Sequence, residues 1–199
     1  MKTISQLLAE ELGCKQEYVD NVVALLDEGN TIPFIARYRK EAHGAMDDTQ
    51  LRTLETRLTY LRNLQARRDE VKSSIENQGK LTDELSAAID NAATLSEVED
   101  LYRPYKQKRR TRATVAREKG LAPLADAIFA QERNAKTPEE LAKDFLNPDL
   151  GVETIEDALA GANDIIAEQI SDDAELRKGL RAMTQKKAVC ASKPAKEDE

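Results

Sequence analysis

Catalysis needs nucleophiles, acids and bases at matched spacings, and this 199-residue chain offers few of them. Its one histidine, His43, stands beside Gly44 ahead of a long helical segment, and no cysteine or second histidine completes a nucleophilic or zinc constellation with it. A loop position without a special role is expected for it. Asp47-Asp48 could form a metal pair, and Asp172-Asp173 another. Each lies where a helix should start, however, and the free amides and positive dipole end of a helix favour acidic residues there. Cys14 and Cys190 match no paired spacing for zinc or iron-sulfur binding. No glycine-rich phosphate loop, Walker-type lysine, strand-borne Gly-x-Gly-x-x-Gly or Gly-x-Ser-x-Gly elbow occurs. The expectation is a protein without enzyme activity, cofactor or metal.

Two segments hold more concentrated chemistry. Residues 103–119 carry eight basic side chains and one acidic one, while the whole chain has a net charge of −7. One segment thus opposes the field of an acidic remainder. Lysine and arginine neutralise phosphates, arginine grips them bidentately, and Tyr102 and Tyr105 could offer stacking faces. The candidate nucleic-acid contacts are Arg103, Lys106, Lys108, Arg109, Arg110, Arg112, Arg117 and Lys119. A solvated loop that pairs with the acidic remainder is the competing reading. The second segment is Asn30-Thr31-Ile32-Pro33-Phe34-Ile35-Ala36-Arg37-Tyr38-Arg39-Lys40-Glu41. On a helix from Pro33, Phe34, Ile35 and Tyr38 can face a core while Arg37, Arg39 and Lys40 lean outward, either merely solvated or touching a partner or phosphate.

The elements that must position these residues are helices. Leucine, alanine, glutamate, lysine and arginine abound, aromatics are only 4%, and 40% hydrophobic residues suffice for a real core. Thr3 with Gln6, Asp47 with Gln50, Ser96 with Glu99 and Thr137 with Glu140 have capping-box spacing. Leu51, Leu54, Leu58 and Leu61 keep heptad spacing along the longest element, near 47–79, but Gln65 and Arg68 interrupt the seam. A bundle helix whose partner changes along its length fits better than a coiled coil. Helices are expected near 112–119 and 123–133 on either side of Gly120, a helix-turn-helix-like connection. Leu124, Ala125, Asp126, Ala127, Ile128 and Phe129 offer few groups to read base edges, so phosphate contact is expected rather than sequence readout. Further helices are expected over 154–170 and 173–185, with Gly161 and Gly179 as potential breaks. Only 188–191 could be a strand. No run of 18 uncharged apolar residues suggests a membrane span, no signal sequence is evident, and cysteine usage suits a reducing cytoplasm.

Extended, the two segments read LLDEGNTIPFIARYRKEAHGAMDDTQLRTLETR over 25–57 and DLYRPYKQKRRTRATVAREKGLAPLAD over 100–126; a looser match, DALAGANDIIAE, covers 157–168. Together they resemble the Tex family of bacterial transcription accessory proteins. His43-Gly44-Ala45-Met46 stands where that family would have Thr-Gly-Gly-Leu or similar, and Gln107 where proline is common. The resemblance implies a cytoplasmic protein whose N-terminal helical region, described as helix-turn-helix-like, precedes an RNase H-like domain, helix-hairpin-helix elements and an oligonucleotide-binding barrel. It also implies RNA or DNA and the transcription machinery as partners. The resulting expectation is an all-α multi-helix bundle with one long central helix. Its regions are 1–105, 106–186 with the basic segment, and 187–199 as a tail or the start of a following domain. Its role is a scaffold contributing non-sequence-specific phosphate contacts, or alternatively one that docks downstream domains or the transcription machinery.

Overall fold

The structure is a computed structural model that describes residues 2–44, 46–106, 109–132 and 136–192. Expectations for Ala45, Gln107, Lys108, Arg133 and the tail from 193 fall outside the described residues. Twelve α-helices occur among the described residues: α1 (Ile4–Leu12), α2 (Gln16–Asp27), α3 (Ile32–Tyr38), α4 (Lys40–His43), α5 (Asp48–Glu76), α6 (Asp83–Asn91), α7 (Leu95–Tyr102), α8 (Arg112–Glu118), α9 (Ala122–Ala130), α10 (Pro138–Ala142), α11 (Ile155–Asp172) and α12 (Ala174–Lys187). Three short 3-10 turns join them. No strand is present there, only an isolated bridge between Asn147 and Val152. Residues 188–191, the one candidate strand, are irregular. The fold is all-α, and it divides into two compact units, one ending at Val98 and one beginning at Glu99.

In the first unit, α1, α2 and α3 pack on the N-terminal half of α5. Leu8, Val19, Val22, Ile32, Ile35, Leu51, Leu54, Leu58 and Leu61 form the core. Further along α5, Val71 and Ile75 are buried where α6 takes over as neighbour. The polar seam residues mark this change of partner. Arg68 donates to the Gln65 side chain at 3.1 Å and to the Ala92 carbonyl at 2.7 Å, satisfying the C-terminal end of α6. At 29 residues, α5 extends about 43 Å.

Capping places most helix starts, with one shift. Thr3–Gln6, Asp47–Gln50 and Thr137–Glu140 are reciprocal boxes. The expected Ser96–Glu99 box is replaced by Thr94–Glu97, in which each side chain accepts from the other residue's amide. The earlier start makes Leu95 the first helical residue and buries Val98 completely. Asp173 caps α12, whereas Asp172 ends α11 rather than opening a helix.

His43 is also corrected: it lies in α4 and is only 5% exposed, with neither ring nitrogen hydrogen-bonded. Gly44, at φ +63°, presses the turn against α2, and a β-carbon there would come within 2.7 Å of the Tyr18 ring. His43 and Tyr18 line the same small pocket.

The second unit is built on a seam of small residues. Ala113 and Ala116 of α8 meet Ala158 and Ala162 of α11, with Leu121, Leu124, Ala125, Val152 and Ile165 completing the core. Gly161, a potential break, lies in an unbroken helix because it faces this seam: a β-carbon there would sit 2.4 Å from Leu121 Cδ1 and 3.3 Å from Ala116 Cβ. Gly179 is likewise inside a continuous helix, with open space around it.

Candidate nucleic-acid interface

The basic segment begins on a 3-10 turn, Arg103–Tyr105, and ends on α8, whose start is fixed by the Thr111 hydroxyl accepting from the Thr114 amide. Because α8 lies against α11, a helix rich in acids, several of the expected phosphate ligands meet carboxylates. Arg103 bonds Asp172 at 2.8 Å and Arg117 bonds Glu168 at 2.6 Å; those carboxylate side chains are only 13% and 16% exposed. The Thr111 hydroxyl also donates to Glu168, at 3.1 Å. Lys119 donates to the Gly151 carbonyl at 2.8 Å. These three cations bond groups within their own unit, and the Arg103 and Arg117 side chains stay 43% and 40% exposed.

Four others face solvent. Lys106 and Arg109 are exposed and have no ion-pair partner among the described residues. Arg110 pairs with Glu118 at 2.6 Å and Arg112 with Asp164 at 3.4 Å, yet their side chains stay 69% and 88% exposed. Arg110, Arg112 and Lys119 line one groove of about 440 Å³ between α8 and α11, floored by Val115, Leu121 and Gly161. Lys106 and Arg117 line a different cleft, whose opposite wall carries Glu168, Asp172 and Asp173. The segment therefore splits into structural and available cations. That division depends on partners more than 30 residues away and has no local sequence signal.

On α9 the exposed residues include Asp126, Ala127 and Phe129, and no basic side chain is among them. Its surface offers nothing suited to reading base edges.

The segment on α3 departs from expectation. Ile32 and Ile35 are buried, but Phe34 and Tyr38 are 36% and 58% exposed. The helix starts at Ile32 rather than Pro33, and at 100° per residue Ile32, Ile35 and Ala36 form one face while Phe34, Arg37 and Tyr38 form the other. Ile32, as a helical residue, adds a second buried position to the first face and leaves both rings on the opposite side. The two rings lie 5.3 Å apart by centroid, with Arg37 5.9 Å from the Tyr38 ring and Arg39 5.6 Å from that of Phe34. Lys40 is exposed beside them.

Among the described residues no three histidine, cysteine or carboxylate side chains converge as metal ligands, and no helix is long and apolar enough to cross a membrane.

Comparison with known proteins gives a consistent lineage. Residues 2–76 match the family described as Tex-like protein N-terminal domain, and residues 133–199 match Tex central region-like. The chain is 47% identical over 193 residues to the uncharacterized protein YdcI of Bacillus subtilis, covering 97% of this chain and 27% of that protein. It is 51% identical over 174 residues to the protein tex of Bordetella pertussis, covering 87% and 22%. A human relative, S1 RNA-binding domain-containing protein 1, is 32% identical over 188 residues, covering 93% and 18%. The chain spans about a quarter of the length of the bacterial relatives it matches.

Proposed function

Because the chain belongs to the Tex family and carries its N-terminal domain, we propose that it is a non-catalytic helical scaffold of a cytoplasmic transcription accessory protein that contributes phosphate contacts to RNA or DNA. One observation carries this reading. Lys106, Arg109, Arg110 and Arg112 expose their charge within seven residues, on a chain of net charge −7. The names of the relatives, transcriptional accessory protein Tex and S1 RNA-binding domain-containing protein 1, support the class of partner. With no basic residue exposed on α9, the contacts hold phosphates rather than read bases.

Salt dependence tests it. If those four cations each meet a phosphate, log affinity falls against log salt with a slope reaching about −2.8 for single strands and about −3.6 for duplex. Serine at all four positions is expected to flatten the slope. An unchanged slope would remove this segment from the interface.

A second reading, docking of polypeptide, is favoured by α12. Leu176, Leu180 and Met183 form one stripe on that helix, each 43–50% exposed, and no residue of the helix is buried. Binding of the transcription machinery or of further domains through this stripe is expected to survive the four serine substitutions.

A further inference from the structure

The first unit holds seven arginines, and they are not treated alike. Arg52, Arg57, Arg62 and Arg67 each bond a carboxylate, and Arg68 bonds a carbonyl. Arg37 and Arg39 instead lie beside aromatic rings, and neither they nor Lys40 form an ion pair among the described residues. In a chain of net charge −7, cations left without acids next to two half-exposed rings are unusual. Burial of the rings would stabilise the fold, and Ile32 and Ile35 show that α3 has a buried face to offer. Phe34 and Tyr38 are kept off it.

We propose that Phe34 and Tyr38, flanked by Arg37, Arg39 and Lys40, form a stacking platform for bases of single-stranded nucleic acid. A π face accepts any base, while adjacent cations hold the backbone, which gives sequence-tolerant single-strand binding. Paired bases in duplex hide their faces, so duplex gains only the charge contribution. An acidic peptide would satisfy the three cations and leave the rings unused. The platform stands within the first unit and does not depend on the basic segment of the second.

The test uses the whole chain and a 12-nucleotide RNA carrying one 2-aminopurine, whose fluorescence is quenched by stacking. Wild type is expected to quench it on binding. Tyr38→Leu and the double variant Phe34→Leu/Tyr38→Leu are expected to lose the quenching, and the double variant to bind at least tenfold more weakly. The slope of log affinity against log salt is expected to stay as in wild type, because stacking releases no counterions. Tyr38→Phe should restore both quenching and affinity. This distinguishes the platform from the phosphate contacts of residues 106–112, whose loss changes the slope. The single variant guards against misfolding, since the Tyr38 ring is mostly exposed. Wild-type-like quenching and affinity in the leucine variants would overturn the proposal. So would absence of quenching by wild type, or equal competition by a poly-glutamate 12-mer.

Discussion

Replacing Asp100 with alanine is expected to loosen α12 by about 2 kcal/mol, seen as roughly 30-fold faster hydrogen exchange at its amides. The Asp100 side chain is 5% exposed and lies between two guanidinium groups of α12: Arg177 bonds one carboxylate oxygen at 2.6 Å, and Arg181 bonds the other. Breaking a fully buried ion pair costs about 3–5 kcal/mol. Arg177 and Arg181 are about one-third exposed and would regain water, so the expected loss is smaller. With no buried residue of its own, α12 depends heavily on this clamp. Exchange unchanged from wild type would show that the clamp contributes nothing.

The same carboxylate sets an acid limit. Burial pushes its pKa up, but the hydrogen bonds and charges of Arg181 and Arg177 outweigh this and hold it below the usual aspartate range. A depressed value means that the stabilisation is complete above the unfolded pKa, near pH 4, and is lost as pH falls through the folded one. Protection of α12 is therefore expected to decline below about pH 4 in wild type. In Asp100→Asn that step should be absent.

The second large effect concerns Gly161. A methyl group there meets Leu121, which is 1% exposed, and crowds Ala116. Overpacking of this kind costs about 1–3 kcal/mol, more than the roughly 1 kcal/mol of helix propensity gained by removing glycine. Gly161→Leu is expected to destabilise the second unit by about 3 kcal/mol, and Gly161→Ala by about 1 kcal/mol. Gly179→Ala, also mid-helix but with nothing within 4 Å, should be neutral or stabilising. Urea unfolding followed by circular dichroism compares them. Equal stability of wild type and Gly161→Leu would mean that α8 and α11 can part without cost.

The helices were legible because their signals are local: capping spacing, leucine periodicity and glycine punctuation need only a few adjacent residues. Local signals are also degenerate. Thr94–Glu97 and Ser96–Glu99 both fit a capping box, and the choice fell to the pair that buries Val98. Tertiary packing decided His43 as well, since nothing near it in sequence reveals that Tyr18 covers the turn at Gly44. The basic segment was visible as a charge imbalance, but its division was not: Asp172 and Glu168 lie 69 and 51 residues from Arg103 and Arg117. For Phe34 and Tyr38 the missing signal was Ile32, which as a buried helical residue marks the face lying away from both rings.

The pairing of Arg110 with Glu118 and of Arg112 with Asp164 makes those carboxylates tethered counterions. A phosphate arriving at either arginine still sheds its own condensed cations, but it also displaces a carboxylate of the same polypeptide, which regains mobile cations in turn. Binding there becomes an exchange between two anions, so affinity falls less steeply with ionic strength than a count of four cations implies. Lys106 and Arg109, which carry no such resident anion among the described residues, would then respond to salt most fully.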